Sequence, residues 1–366
     1  MHVFRVAYTG DFLNERGEYA YGDGGFGLYE GVPYITWRFL TDQAPRAGDA
    51  GYWERFYSLV VEPRHLAGVD GLAVLRPAVT RETFAEGAAD LVVIGRSGAG
   101  YDKIDLAACT EHDVALFNCP SALDHSTAST ALMFLLVLAK RLPEQMRVVR
   151  EGAWQRQAEV MGSELSGRTL GIVGLGRSGR ELARLVAPFH MRLLAYSPHA
   201  EPEQAAALSV SLVSLETLLR EADFVSLHAR LTPQNRGLIG AEQLALMKPT
   251  AYLVNVARGP LVDETALVDA LRRRRIAGAA LDVFAHEPLS LDSPLLKLEN
   301  VVLTPHWSAS TRDVWDATGR AISRGMLRAA QGQVPENVVN QEVLERPGFL
   351  KKLARYSENA AQADLI

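Results

Sequence analysis

The stretch Thr169-Leu170-Gly171-Ile172-Val173-Gly174-Leu175-Gly176-Arg177-Ser178-Gly179-Arg180 narrows the possible folds more than any other part of the chain. A short apolar run, bounded by turn residues, reads as a buried parallel strand. It runs into G-x-G-x-x-G at Gly174, Gly176 and Gly179, and Glu181-Leu182-Ala183-Arg184-Leu185-Val186 continues with helical spacing. A strand before and a helix after are the context this motif requires. The first glycine permits the tight turn, the second lets backbone approach a pyrophosphate, and the third lets helix and strand pack closely. The free N–H groups and positive dipole end of the helix favour a phosphate there. The stretch therefore predicts a βαβ dinucleotide-binding unit.

At 366 residues the chain has room for two domains, each with its own core. A net charge of −5 leaves no electrostatic footprint for nucleic acid or an anionic membrane. The one basic run, Arg272 to Arg275, closes a predicted helix, where cations suit the dipole. Two cysteines, Cys109 and Cys119, make no disulfide framework, and the nine histidines show no metal-ligand spacing. The first residues, Val3 to Tyr8, read as a strand rather than a signal peptide. The longest apolar run, Ala131 to Ala139, is too short to span a bilayer. These features predict a cytoplasmic protein with no metal, nucleic-acid partner or membrane partner.

Strand signals recur at Leu72–Leu75, Leu91–Ile94 and Val114–Asn118, and after Val173 at Arg192–Tyr196, Phe224–Leu227, Ala251–Asn255, Ala279–Asp282 and Val301–Leu303. Helical stretches alternate with them, which predicts an α/β fold with doubly wound parallel sheets. Ser121–Arg141 is a long apolar helix, and Asp313–Ala330 is another. Residues 143–168 read as a helix plus an excursion, and Phe349–Tyr356 as a short amphipathic helix, docked or fraying. Residues 11–56 are rich in glycine and aromatics. Gly22–Gly27 there has neither a strand directly before it nor a helix directly after it, so a mobile loop is expected, with a lid as one role and plain aromatic packing as the other.

In doubly wound sheets ligands sit at the carboxyl ends of the strands, so the residues there carry the chemistry. Where an acidic residue normally takes the ribose hydroxyls, this chain has Ser197-Pro198-His199. That leaves NAD and NADP both open. Arg258, in Asn255-Val256-Ala257-Arg258-Gly259, offers a planar fork of donors for a carboxylate and a neighbouring carbonyl. Glu287 precedes Pro288, and His306 stands in Thr304-Pro305-His306-Trp307. Next to a dinucleotide this set suits hydride transfer, with His306 as acid/base and Glu287 fixing its tautomer.

The ordered motifs Gly95-Arg96-Ser97-Gly98-Ala99-Gly100-Tyr101-Asp102, Gly174–Gly179, Asn255–Asp263, Asp282–Pro288 and Thr304-Pro305-His306 resemble those of the D-isomer-specific 2-hydroxyacid dehydrogenase family over about residues 70–340. The resemblance implies two Rossmann-like or flavodoxin-like doubly wound domains with the active site in the cleft between them. It implies a discontinuous substrate-binding domain, 1–119 plus 312–366, and a dinucleotide-binding domain, 120–311. It implies Arg258, Glu287 and His306 as the catalytic set. It puts the substrate carboxylate on backbone N–H groups of Ser97, Gly98, Ala99 and Gly100, with Arg76 at a position that faces substrate in some members, such as phosphoglycerate dehydrogenases. Around NAD or NADP it places Thr127, Gly174, Gly176, Arg177, Ser178, Gly179, Ser197, Pro198, His228, Thr232, Val256, Ala257, Arg258, Asp282 and His306. It also implies a homodimer with Pro143–Leu165 in the contact.

The implied activity is hydride transfer between NAD(P)H and a 2-oxo acid/D-2-hydroxy acid pair, with small acids such as glyoxylate or hydroxypyruvate as the default. Arg76 and Arg258 together favour an acid with a second polar or anionic group, whereas the aromatic stretch favours a closed, partly apolar pocket. The alternative is a nucleotide-sensing corepressor or scaffold of the C-terminal-binding-protein type. Phosphite oxidation is disfavoured, because that variant places a Lys where this chain has Ala99.

Overall fold

A computed structural model describes residues 2–49 and 51–363. They form two compact units, residues 1–123 with 310–366 and residues 124–309. Each is built on a parallel sheet covered by helices.

The first unit has five strands: β1 (Phe4–Tyr8), β2 (Ile35–Phe39), β3 (Gly71–Val74), β4 (Val93–Arg96) and β5 (Ala115–Asn118), in the order β2-β1-β3-β4-β5. The central strands are apolar runs because both faces are buried; Phe4, Leu72, Val93, Ile94 and Leu116 are wholly inaccessible. β2 lies inside the stretch expected to be irregular. It pairs with β1 from Phe4↔Ile35 to Tyr8↔Phe39, and Thr36, Trp37 and Arg38 are exposed on this edge.

Gly22–Gly27 is not the free loop expected from its composition. The Asp23 N–H donates to Asp316 Oδ1 (2.6 Å) and Ser323 Oγ donates to the Gly24 carbonyl (2.8 Å), both on the helix Arg312–Ala330. Gly25 has φ +72°, and a Cβ there would lie 2.8 Å from Arg320 Cα. The aromatics behind this strap interlock: Phe26 stacks on Trp37 at 4.3 Å, and Tyr8 packs edge-on against Phe26. The tail docks through the helix Pro347–Ala354, whose Phe349 is wholly buried, and through Tyr356, whose hydroxyl donates to Asp70 (2.8 Å).

The second unit has seven strands: β6 (Thr169–Val173), β7 (Arg192–Tyr196), β8 (Val210–Leu212), β9 (Phe224–Leu227), β10 (Tyr252–Asn255), β11 (Gly278–Leu281) and β12 (Val301–Leu303). Their order is β12-β11-β10-β9-β6-β7-β8. The order reverses between β6 and β9, the switch point where such sheets bind ligands. β8, three residues at the edge, lies outside the expected strands, although Leu208-Ser209-Val210-Ser211-Leu212 alternates apolar and polar residues as a strand does. Pro120–Ala139 is long and apolar enough to cross a bilayer by length and composition, so the 131–139 limit understates it. Its helix Asp124–Ala139 buries Ala128, Ala131, Phe134 and Leu135 in the core of this unit.

Phe349→Ala is expected to lower unfolding free energy by about 3–5 kcal/mol, the usual cost of an aromatic cavity. Chemical denaturation checks it, with Phe349→Leu expected to cost less.

Candidate active site

The glycine turn has the geometry its motif predicts. Gly174 follows β6 with φ +96°, and a Cβ there would sit 2.6 Å from the Ala229 nitrogen. A Cβ on Gly179 would lie 2.2 Å from the Gly174 carbonyl oxygen, so helix and turn could not pack as they do. At Gly176 nothing lies within 4 Å of that position, leaving the backbone open to a ligand. The helix Arg177–Val186 starts there with no side-chain cap, so its first N–H groups face outward. These features fit a pyrophosphate. Arg177 Nε pairs with Asp124 (2.6 Å). Ser178 Oγ is 3.2 Å from His228 Nδ1, and His228 Nε2 is 2.9 Å from Ser226 Oγ.

The other predicted cofactor residues sit on the same unit. Ser197 and Pro198 follow β7 directly, Ser197 half-buried and Pro198 exposed, while Val256 and Ala257 follow β10. Thr232 precedes the turn Pro233–Asn235, its N–H accepted by Asn235 Oδ1 (2.7 Å). Thr127 lies in the first turn of Asp124–Ala139.

Arg258, Glu287 and His306 belong to the ends of β10, β11 and β12, three neighbouring strands. Buried Asn255 shapes the first turn: its Oδ1 accepts from Ala257 N (3.1 Å) and its Nδ2 donates to the Arg258 carbonyl (3.0 Å). His306 Nδ1 lies 2.7 Å from Glu287 Oε2, while Glu287 Oε1 accepts from the Phe284 N–H (3.1 Å). Burial would raise the Glu287 carboxyl. The hydrogen bond and charge of His306, the Phe284 N–H and nearby Arg258 outweigh it, and Glu287 sits below the usual carboxylate range.

Asp282 does work that sequence reasoning missed. It is wholly buried, and its carboxylate accepts from Thr304 Oγ1 (2.6 Å), Trp307 N (2.9 Å) and Ser308 N (2.9 Å). All three belong to the loop that carries His306. The signal available in the sequence was an acidic residue at the end of an otherwise apolar strand.

In the first unit Ser97–Gly100 follows β4. Ser97 is buried and its N–H is already committed to the Val74 carbonyl (2.8 Å), which removes it from the expected set of anion donors. The carbonyls of Gly98 and Ala99 are held by Cys119 N (3.1 Å) and Asn118 Nδ2 (2.7 Å). With those oxygens tied down, the N–H groups of Gly98, Ala99 and Gly100 have no partner among the described residues. Arg76 follows β3, its Nη1 3.1 Å from the Tyr21 hydroxyl. No group of His, Cys, Asp and Glu suited to a metal ion occurs among the described residues.

The family described as D-isomer specific 2-hydroxyacid dehydrogenase, NAD binding domain, matches residues 132–308. A glyoxylate reductase of Korarchaeum cryptofilum is 41% identical over 283 residues, covering 76% of this chain and 85% of that protein. A D-3-phosphoglycerate dehydrogenase of Methanocaldococcus jannaschii is 42% identical over 276 residues, 75% of this chain but only 52% of that longer protein. Among solved structures, the TT0316 protein of Thermus thermophilus superposes with a TM-score of 0.76 at 31% identity, covering 92% of this chain and all of that one. A glyoxylate reductase of Paecilomyes thermophila superposes with a TM-score of 0.77 at 26% identity, covering 93% and 100%. The chain belongs to the D-isomer specific 2-hydroxyacid dehydrogenase family, as an oxidoreductase with that family's NAD-binding domain, acting on CH–OH donors.

Proposed function

We propose that this enzyme reduces a short 2-oxo acid to its D-2-hydroxy acid, and catalyses the reverse, through Arg258, Glu287 and His306. The observation that carries the reading is the 2.7 Å bond between His306 Nδ1 and a Glu287 carboxylate held below its usual range. The bound dinucleotide supplies or accepts the hydride. His306 Nδ1 keeps its proton on Glu287, which leaves Nε2 as the atom that gives a proton to the carbonyl oxygen during reduction or takes one from the hydroxyl during oxidation. A deprotonated Glu287 stabilises the imidazolium that oxidation creates. Arg258 binds the substrate carboxylate and its carbonyl oxygen. The open N–H groups of Gly98, Ala99 and Gly100 hold the carboxylate as an anion nest.

Gly174–Gly179 would hold the cofactor's pyrophosphate, with Ser178 aligned by His228. Ser197 in place of a carboxylate removes the repulsion that would reject a 2′-phosphate. The segment supplies no arginine to hold that phosphate either, so NAD is slightly favoured over NADP. The two buried thiols, Cys109 and Cys119, suit the reducing cytoplasm. The helix Leu142–Arg150 exposes Leu142, Met146 and Val149 along one face, and the segment after it exposes Trp154 and Met161. That apolar surface supports a homodimer.

His306→Asn lowers kcat by about 10²–10⁴-fold, the usual share of general acid–base catalysis, and Arg258→Ala lowers kcat/KM by about 10²-fold or more. Steady-state oxidation of NADH or NADPH with 2-oxo acids checks both, and unchanged turnover in either variant would sink the assignment. Light scattering gives the mass of two chains for the wild type, and Val149→Asp shifts it toward one. An NMR titration gives His228 a midpoint at about 4, because burial disfavours its charge. A base depressed in this way contributes stability that is full above its unfolded value near 6.5 and is lost as the pH falls toward 4. His228→Gln flattens that part of the stability–pH curve.

A further inference from the structure

The first turn of the glycine-turn helix, Arg177-Ser178-Gly179-Arg180, holds no acidic side chain of its own. A negative charge reaches it from another helix. Asp124, the first residue of Asp124–Ala139, places Oδ2 2.6 Å from Arg177 Nε. The guanidinium that the resemblance assigns to the cofactor's pyrophosphate thus already faces a carboxylate. Beside this pair, His125 Nδ1 lies 2.9 Å from Glu181 Oε1. Two consecutive residues of one helix therefore meet two residues of the other that stand one turn apart.

Asp124 is fixed in place by the helix that carries it. Ser126 Oγ and Thr130 Oγ1 both donate to the Ser308 carbonyl (3.0 Å each), and the Ser308 N–H donates to Asp282 (2.9 Å). Ser126, Thr130 and Ser308 are all buried. Ala128, Ala131 and Phe134 share one apolar cluster with Leu182 and Ala183 of the glycine-turn helix. The two helices are packed as one body, with the carboxylate built into the phosphate turn. The partners of the ion pair differ in exposure: the Asp124 side chain is 21% exposed and that of Arg177 is 53% exposed. Arg177 is the member that can turn toward a ligand, and Asp124 is the member that stays.

An ion pair with so much solvent around its cation is weak, because water screens it. A pyrophosphate on the glycine turn, favoured by the helix N–H groups and dipole, can therefore draw the guanidinium over. Two penalties accompany that exchange. The bond from Arg177 to Asp124 is lost or shared, and the carboxylate is left beside a like charge.

We propose that Asp124 is a positioning residue that holds Arg177 back from the pyrophosphate, weakens dinucleotide binding and so keeps the cofactor exchangeable between turnovers. The inference rests on the dinucleotide reading of Gly174–Gly179. Release steps often limit turnover in enzymes of this kind. A built-in competing anion speeds release of the dinucleotide and leaves the roles of His306, Glu287 and Arg258 as they are.

The experiment measures the Kd of NADH and of NADPH by nucleotide fluorescence in the wild type, Asp124→Asn, Asp124→Glu, Arg177→Gln and the double variant. Thermal unfolding of each nucleotide-free protein confirms that it is folded. Asp124→Asn is expected to lower the Kd of the preferred nucleotide at least ~5-fold, equivalent to about 1 kcal/mol, and stopped flow is expected to show slower release. Asp124→Glu, which keeps the charge, restores wild-type binding. In the Arg177→Gln background the gain from Asp124→Asn is lost, because the carboxylate acts through the guanidinium. An Asp124→Asn variant with unchanged or weaker binding overturns the proposal, since the carboxylate is then inert or orients Arg177 for the phosphate. An equal gain with and without Arg177 overturns it too. Neither result touches the dinucleotide reading, which falls only if the wild type binds neither nucleotide.

Discussion

The catalytic half of this enzyme hangs on one buried carboxylate. Asp282 ends β11 with no solvent access and accepts one hydroxyl and two backbone N–H donors from residues 304–308. Its carbonyl accepts from the His306 N–H (2.8 Å). Four bonds therefore tie two neighbouring strand ends together. That matters because His306 adopts φ +53°, a left-handed conformation that costs a non-glycine residue about 1–2 kcal/mol. Charge-assisted bonds in a dry site, each worth about 1.5–3 kcal/mol, hold it there. Once the loop is fixed, the imidazole meets Glu287, and Glu287 stays ionised because that meeting is enforced.

The same economy recurs at each strand end of the second unit. Asn255 uses both ends of its amide to set the turn that presents Arg258. Gly174 and Gly179 close on each other with no room for a side chain, which brings the first turn of the helix against the sheet. Such turns are cheap in a parallel sheet because consecutive strands already deliver their carboxyl ends to one edge. The chemistry-bearing side chains contribute little to holding that edge; uncharged or fully satisfied neighbours do so.

Much of this was legible in the sequence. Buried parallel strands are short apolar runs, so β6, β7 and β9–β12 announce themselves, and the polar residues that end them stand out. Edge strands do not: β2 alternates apolar, polar and aromatic residues in a glycine-rich context, and β8 is three residues long. The strap Gly22–Gly27 was misread because its restraints, Asp316 and Ser323, lie almost 300 residues away in the chain. Composition reports local freedom and is silent on such distant partners. Ser97 and Asp282 were recognised as site positions, but which of their atoms remain available depends on Val74 and on Thr304–Ser308. Hydrogen-bond accounting in three dimensions decides that, and motif spacing does not.

Two carboxylates, partly buried Glu287 and wholly buried Asp11, show why residue type alone does not set chemistry. Glu287 accepts from His306 and Phe284 and feels Arg258, and the sum holds it below its ordinary range despite burial. Asp11 is buried more completely, with Arg76 3.7 Å away, and for it burial prevails over the pull of Arg76, so its carboxyl is raised. The first arrangement favours a carboxylate that stays charged and can support a positive imidazole through a reaction. The second draws the carboxyl toward its neutral form beside a guanidinium that keeps its charge. An arginine therefore reads as an anion receptor only after its own counterion has been counted. In this chain the counterion of Arg76 comes from the end of a strand 65 residues earlier.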